Sequence, residues 1–358
     1  MLKRSPAIAA YWLKDGFYLE EFVLGERVKA KPLLTVVLDA FSRPRSLASA
    51  RRELAPFGAK AVVRVIQQLV SRGFLVPANR KRPDVAAAWK DCFAAAYFHS
   101  AAKDVTYAAG PVEWQRVVDS RLAAAPQPPL FKEYKHAPFR RLERGDNCFP
   151  RASLGEILKR RRTVRQFRRS PVPMRVVSEV IRGTWGTTGR LNTGSFGKLL
   201  TKTSPSAGAL HPVECYLLAW EVQGLAPGLY HYSVKRDGLE RLRSGDLREQ
   251  AVRAASGQTW VADASFLCIL TVVVDRVFWK YTSPNAYRLF LLDAGHLAQT
   301  FCLLATASGL GAFTTAAIQD SLIEELLRID GVREIPIYLC GAGFPDPSAA
   351  KLSVETLG

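Results

Sequence analysis

Residues 275–299 read DRVFWKYTSPNAYRLFLLDAGHLAQ, and this stretch does most to decide the fold. It continues into an apolar run that predicts a long helix from about Ala286 to Ala307, ended by Gly309. The apolar residues of this run occupy more than one helix face: Leu289, Leu292, Leu297, Phe301 and Leu304. A helix of this kind is expected inside a core or between two subunits, and the pattern fits both alternatives.

A lysine and a tyrosine, Lys280 and Tyr281, stand next to each other just before that helix. A neighbouring positive charge lowers the pKa of a phenol, so the tyrosine can act as a general base near neutral pH. Adjacent Lys and Tyr residues are common in proteins, so the pair carries no functional assignment when it is taken alone.

A basic run lies upstream, directly after a helix that opens with the capping box Ser153-x-x-Glu156. The run consists of Arg161, Arg162, Thr163, Val164 and Arg165. Its guanidinium groups and its hydroxyl can surround a phosphate with bidentate hydrogen bonds. Further basic residues flank the run on both sides, so a solvated basic face explains the composition equally well.

Small residues dominate the segment that reads SPSAGALHP. It begins with Ser204, Pro205, Ser206, Ala207 and Gly208. Hydroxyl groups and a glycine let backbone amides approach a flat ligand closely, although a plain surface turn has the same composition. His211 has no second histidine or acidic residue at ligand spacing, so we expect no metal site.

In this order and spacing, the motifs resemble those of nitroreductase-like flavoproteins, most closely the SagB/McbC-type dehydrogenases. The basic run resembles the R-R-S/T-x-R phosphate motif of that family, and SPSAGALHP resembles its SPSxGAxxP loop at the flavin. Residues 275–299 resemble its W-K-Y…AYR…DAGHxAQ signature, which contains a catalytic Lys-Tyr pair. The resemblance spans about residues 151–345 and implies the oxidation of thiazolines and oxazolines in ribosomally made peptides.

The same resemblance implies FMN as the cofactor, bound at a homodimer interface to which both subunits contribute. The implied catalytic residues are Lys280 and Tyr281. The implied FMN-binding residues are Arg161, Arg162, Thr163 and Arg165 in the basic run, Ser204, Pro205, Ser206, Ala207 and Gly208 in the loop, and Thr315, Ala316, Ala317 and Lys351.

Two features depart from the family pattern. The proline-isoleucine-glycine stretch that often brings backbone amides to the flavin N5 is here Thr314-Thr315-Ala316-Ala317. We therefore assign the N5 contact to that segment and not to one atom. Basic residues near the C-terminus usually complete the phosphate site, and here only Lys351 follows the last strand.

Residues 1–80 predict a winged-helix-like domain for peptide recognition. A helix over Leu47–Leu54, capped by Ser46, is followed by a second helix from about Ala59 to Arg72 and by the strand FLVP. Helix, turn, helix and strand in this order is the winged-helix pattern, and the dehydrogenases that this chain resembles often carry such a domain.

The remaining chain predicts a connector and a larger domain. Residues 81–150 are first Ala-rich and then Pro-rich, which favours a connector with packing contacts of its own. Residues 151–358 mix helices and strands without regular βαβ alternation. This mixture predicts an α+β fold of the nitroreductase-like type. One of its helices is expected to begin at Met174 and to be stopped by Gly183.

The net charge of +18 points to an anionic partner. A DNA-binding regulator would fit this charge, the predicted winged helix and its basic residues, which are Arg51, Arg52, Lys60, Arg64 and Arg72. A winged helix can also bind an extended peptide by strand addition. We favour that second interpretation, an acidic leader peptide, and do not expect nucleic acid as the partner.

The cysteines do not form CxxC pairs, and several stand inside apolar segments. They are Cys92, Cys148, Cys215, Cys268, Cys302 and Cys340. We therefore expect reduced, buried thiols in a cytoplasmic protein. No membrane span is expected, because Asp293, His296 and Gln299 interrupt the longest apolar stretch.

The predicted function is FMN-dependent oxidation of thiazoline or oxazoline rings to azoles in a peptide natural product. The predicted partners are the peptide substrate, a second copy of the chain and a cyclodehydratase. A flavin-dependent nitro or quinone reductase of the same fold is the alternative, although such an enzyme needs no Lys-Tyr pair.

Overall fold

The computed structural model describes residues 1–79, 88–90, 92–105, 110–144, 152–193 and 198–348. The chain divides into two compact units, residues 1–106 with 283–285 and residues 107–282 with 286–358. Residue 80 and residues 145–151 fall outside the description, so the domain boundaries expected there stay a prediction.

The N-terminal unit combines a three-stranded antiparallel sheet with short helices. Its elements are β1 (Leu2–Arg4), β2 (Ile8–Leu13), β3 (Gly16–Glu21), β4 (Glu26–Lys29), α1 (Pro32–Ala40), α2 (Leu47–Glu53), α3 (Ala59–Ser71), β5 (Leu75–Pro77) and α4 (Phe93–Ala101). The predicted helices α2 and α3 are confirmed, and Ser46 caps α2 by accepting the Ser49 N–H at 3.2 Å. Strands β2, β3 and β4 form the sheet, while β1 pairs with β5.

The larger unit is built on a seven-stranded antiparallel sheet of order β15-β16-β14-β10-β12-β13-β6. Its elements are α5 (Pro111–Ala124), β6 (Phe139–Arg141), α6 (Leu154–Arg160), β7 (Val172–Pro173), α7 (Met174–Trp185), β8 (Gly189–Asn192), β9 (Lys198–Thr201), β10 (Val213–Ala219), β11 (Val222–Gln223), β12 (Gly228–Ser233), β13 (Gly238–Ser244), α8 (Arg248–Ala254), β14 (Phe266–Val273), α9 (Val274–Phe278), α10 (Ala286–Ala307), β15 (Gly311–Thr315), α11 (Asp320–Leu327) and β16 (Glu334–Gly343). The predicted α+β class is confirmed.

Helices cover both faces of this sheet. Successive residues of a strand point to opposite faces. Cys215 and Leu217 of β10 therefore belong to the core that contains α7 and α10, whereas Tyr216 and Leu218 belong to the core that contains α8 and α11. Because both faces are buried, the central strands are almost continuously apolar, as in the segments VECYLLA and FLCILTVV.

Helix α7 shows where a local stop signal was misleading. The expected end at Gly183 is wrong, since the helix continues to Trp185 and Gly186 is its C-cap. Gly183 is buried inside α7, which packs against α10. The packing of α7 against α10 offsets the low helix propensity of glycine.

Helix α10 is confirmed with the predicted limits. By length and composition alone it is apolar enough to cross a membrane, but half of its most apolar window is buried inside the protein. Phe290, Phe301 and Ala305 face the core between this helix and the sheet. The helix therefore has the contacts of a core helix in this unit.

The described cysteines lie partly in the core and partly at the surface. Cys215, Cys268, Cys302 and Cys340 are buried free thiols, as predicted, whereas Cys92 is exposed. Cys148 lies outside the described residues.

A substitution at Gly341 should test how tightly the sheet is packed. A Cβ atom at this position would lie 2.3 Å from Phe313 and 2.6 Å from Leu267, both fully buried. We expect Gly341→Ala to lower the free energy of unfolding by about 1–3 kcal/mol, measured by urea denaturation. Gly155→Ala is the control, because a Cβ there meets no atom within 4 Å. Equal stability of Gly341→Ala and the parent would contradict the tight packing.

Candidate functional site

Lys280 and Tyr281 lie in the connection between α9 and α10, where their backbone N–H groups both donate to the carbonyl of Val277. Their side chains reach the same point of the SPSAGALHP loop. A Cβ atom at Gly208 would lie 2.7 Å from Lys280 Nζ and 2.8 Å from Tyr281 Oη. A Cβ atom here would displace the ends of both side chains, and the φ of +61° is one that glycine adopts freely. The structure therefore brings the amine and the phenol together, beside the predicted loop.

Aromatic rings surround the Lys280 amine. Its Nζ lies 5.0 Å from the centroid of the Trp114 ring and 5.6 Å from that of Tyr281, within the range of cation–π attraction. The two rings are 6.1 Å apart and inclined by 24°. Burial lowers the pKa of Lys280. Trp114 has no sequence motif around it, so sequence reasoning missed this neighbour.

The loop is held to α10 by Asp293. This carboxyl group, in a residue that is 4% exposed, accepts the Ser206 hydroxyl and, at 3.3 Å, the Ala207 N–H. A second contact joins the Ser204 and Thr300 hydroxyls at 2.6 Å. Burial raises the pKa of Asp293, while the bonds to Ser206 and Ala207 oppose the increase. An acidic residue inside an apolar helix was the signal that could have identified this anchor.

His211 is tied into the loop itself. Its Nε2 lies 2.9 Å from the Leu200 carbonyl, and its backbone N–H donates to Ser206 Oγ at 2.9 Å. Since a carbonyl only accepts, the ring proton resides on Nε2. Burial and the charge of Lys202 lower the pKa of His211 to about 4. The ring is therefore neutral near pH 7 and has a structural role.

The basic run leaves α6 at Arg161 and passes beside β15. The Val164 N–H donates to the Ala312 carbonyl at 2.9 Å, and Gly311 leaves no room for a Cβ atom, which would lie 2.7 Å from Val164. Arg165 lies over the Trp260 ring at 5.3 Å.

Among the described residues, no acidic side chain neutralises the guanidinium groups of the basic run. Arg162 donates to the carbonyls of Lys159 and Arg161. Across the described parts of the chain, no carboxylate forms an ion pair with Arg161, Arg162 or Arg165. Thr163 is exposed between them. The run therefore offers the donor set of an anion site, and its assignment as a phosphate site stays a prediction.

The segment Thr315–Ala317 follows directly on β15 and is fixed by Gln258. The Gln258 amide donates to Thr315 Oγ1 at 3.3 Å and to the Ala317 carbonyl at 3.0 Å. The Ala317 N–H donates to Thr315 Oγ1 at 3.1 Å. Ala316 is an exposed residue, and its N–H has no acceptor in the described part of the protein. Lys351 lies outside the described residues.

The predicted residues thus form two groups within one chain. The anion group contains the basic run and Thr315–Ala317, and the catalytic group contains the SPSAGALHP loop with Lys280 and Tyr281. Strands β15 and β10, which lead to these groups, are separated by two strands, or about 14 Å at ~4.8 Å per strand spacing. Helix α10 connects the groups, because Asp293 contacts the loop and α6, which leads into the basic run, packs against α10.

Sequence comparison relates this chain to known proteins. The nitroreductase family profile matches residues 158–344. Protein MJ1384 of Methanocaldococcus jannaschii, named as a nitroreductase, is 30% identical over 53% of this chain and 90% of its own length. The trifolitoxin operon protein TfxC of Rhizobium leguminosarum bv. trifolii is 24% identical over 92% of this chain and 95% of its own. The microcin B17-processing protein McbC of Escherichia coli is 25% identical over 38% of this chain and 51% of its own.

The partly buried His211 should make the protein sensitive to acid. Its folded pKa of about 4 lies below the ordinary 6.5, so between these values the unfolded chain binds a proton that the folded chain does not. The free energy of unfolding should therefore rise with pH across this window. His211→Gln should flatten that rise in urea unfolding at a series of pH values, whereas the exposed control His136→Gln should not. An unchanged slope in His211→Gln would show that the ring is not the source.

Proposed function

The chain belongs to the nitroreductase family, and from this premise we propose that it is an FMN-dependent oxidase that converts azoline rings of a peptide to azoles. The observation that carries the proposal is the meeting of Lys280 Nζ and Tyr281 Oη at Gly208. The family match itself makes the chain an oxidoreductase of nitroreductase type. The names of two relatives, a microcin B17-processing protein and a trifolitoxin operon protein, support a peptide natural product as the substrate.

The donor set fits the terminal phosphate of FMN. Arg161, Arg162 and Arg165 have no acidic partner among the described residues, and Thr163 adds a hydroxyl. Charge-assisted bonds of this kind suit a phosphate dianion. The loop Ser204–Gly208 and the free amide of Ala316 would contact the ring system. When bound, FMN would supply a two-electron acceptor for the hydride that leaves the substrate.

Tyr281 is the proposed general base. Oxidation of an azoline removes a proton from the ring carbon next to the carbonyl and a hydride from the neighbouring carbon, and a carbon–carbon double bond forms between them. The Tyr281 phenolate would take the proton, and the ammonium of Lys280 would stabilise the phenolate by its charge. Gly208 lets both groups approach the loop without a steric clash.

A homodimer would unite the two groups of site residues. The groups lie at different strands of one sheet, so the anion group of one subunit can complete the catalytic group of another. Helix α10 exposes Tyr287, Leu291 and Leu292, with 39%, 50% and 56% of their surface accessible. An apolar surface of this kind suits contact with a second copy.

The N-terminal unit is proposed to recognise the peptide. Its α2 and α3 carry Arg51, Arg52, Lys60 and Arg64, all outside the core of that unit. Cationic side chains suit an acidic leader segment, and a sheet edge can accept an extended peptide as an added strand. A cyclodehydratase that forms the azoline ring is the partner that this chemistry requires upstream.

Flavin content gives the first test. Denaturation should release FMN at about one per chain, as expected for one site per subunit. Replacing both Arg161 and Arg165 by Gln should weaken FMN binding about 10²-fold or more, because each charge-assisted bond contributes about 1.5–3 kcal/mol. Arg168→Gln, a flanking arginine that lies over Phe344, is the matched control. Release of FAD, or a protein that takes up no flavin, would contradict the assignment.

The base is tested by Tyr281→Phe and Lys280→Ala. Each should oxidise a thiazoline peptide about 10²–10⁴-fold more slowly, because a general base or its charge partner is missing. The double variant should be little slower than Tyr281→Phe, since the two groups act as one unit. Turnover is measured by azole formation in mass spectrometry.

Tyr230→Phe is the control for this test, because its hydroxyl donates to the Ala226 carbonyl, away from the catalytic group. All variants should keep their FMN and remain reducible by dithionite. If Tyr281→Phe oxidised the peptide at the rate of the parent protein, the Tyr281 phenolate would not be the base. Rapid quinone or nitro-compound reduction by a parent that leaves azolines unchanged would favour the reductase alternative.

A further inference from the structure

We propose that residues 111–134, here called the strap, position the Lys280–Tyr281 pair, and that Trp114 is the central positioning residue. The strap consists of α5 and the extended Pro-rich segment after it. It precedes the region matched by the family profile, which begins at residue 158. The assignment of chemistry to the pair rests on the proposed function, whereas the contacts of the strap do not.

The pair needs support from outside its own segment. Residues 279–285 form neither a helix nor a strand, and the bonds of Lys280 and Tyr281 to the Val277 carbonyl fix their backbone but not their side chains. Trp114 lies against both side chains, with its ring stacked on Tyr281 and facing the Lys280 amine. Val118, one helical turn further along α5, is fully buried and fixes the helix in place. The tryptophan thus restricts both groups at once.

Hydrogen bonds join the strap to the same short segment on either side of the pair. Arg121 donates to Thr282 Oγ1 at 2.9 Å, one residue after Tyr281. The Trp279 indole N–H donates to the Ala125 carbonyl at 3.0 Å, one residue before Lys280. These two bonds flank the pair and tie it to α5 and to the residue that follows α5.

A buried arginine forms a further link between the strap and the elements around the catalytic pair. Arg276 is 5% exposed, lies four residues before Lys280, and forms an ion pair with Glu214 at 2.6 Å. The same guanidinium donates to the Pro129 carbonyl at 2.9 Å and to the His211 carbonyl at 3.3 Å. It therefore links the strap, the SPSAGALHP loop and β10 at a single point. Charge-assisted bonds in a buried place hold geometry firmly.

The far end of the strap is anchored in the sheet. Lys132 bonds the Tyr216 hydroxyl at 2.7 Å and forms an ion pair with Glu334, and the Tyr134 N–H donates to Glu240 at 2.9 Å. Tyr216, Glu334 and Glu240 belong to three strands of the central sheet. The strap is therefore fixed at both ends, and the segment with the pair is held between the strap and the loop.

Kinetics of Trp114 variants in the full, FMN-loaded protein test the role. Trp114→Leu should lower kcat about 10–100-fold, the cost of a small misplacement of reacting groups, with KM for the thiazoline peptide nearly unchanged. Trp114→Phe keeps an aromatic face and should restore most of kcat. Trp89→Leu, a partly exposed tryptophan in the N-terminal unit, is the control. A parent kcat in Trp114→Leu would overturn the proposal.

Hydrogen exchange gives a readout that needs no substrate. Trp114→Leu and Arg121→Gln should speed amide exchange in residues 276–285 at least about tenfold, since local opening controls exchange there. Exchange in α7 should stay at the parent rate. Unchanged exchange in 276–285, or faster exchange throughout with loss of FMN, would overturn the positioning role. If the parent oxidises no azoline, the proposed function fails, while this measurement still decides on the strap.

Discussion

The bond between the Asp293 carboxyl group and the SPSAGALHP loop is the contact on which the site depends. A buried carboxyl group is costly unless its oxygens accept hydrogen bonds, and here Ser206 and Ala207 supply them. The two partners directly precede Gly208, so their bonds to Asp293 fix the loop next to the glycine that Lys280 and Tyr281 approach. Asp293 is in turn held by the burial of α10 against the sheet. The core of the larger unit thereby determines the geometry of a surface loop.

The sheet gives the two groups of site residues separate supports. The basic run is held by β15 through Val164 and Gly311, whereas the loop leads into β10 and rests on α10. The strap then adds a third support, which approaches the catalytic pair from the other side through Trp114 and Arg276. Each reactive side chain is therefore placed by contacts with segments remote in sequence.

Structure that depends on neighbouring residues could be predicted from the sequence, whereas contacts between distant segments could not. The capping box at Ser153, the limits of α10 and the apolar strands depend on neighbouring residues and were predicted correctly. Gly183 was misread because the packing of α7 against α10 is absent from the local sequence. The family motifs identified Lys280, Tyr281 and the basic run as candidate site residues. They could not reveal Trp114 or Gln258, whose contacts depend on how distant segments fold together.

The division of the site between two groups has a genetic consequence. In the proposed homodimer, where the anion group of one subunit completes the catalytic group of the other, a chain damaged in the basic run and a chain damaged at Tyr281 would complement each other. In a mixed dimer, one site collects both defects and the other collects neither. Two alleles that are each inactive alone would then restore activity when expressed together, because one site would form from the undamaged parts of both chains.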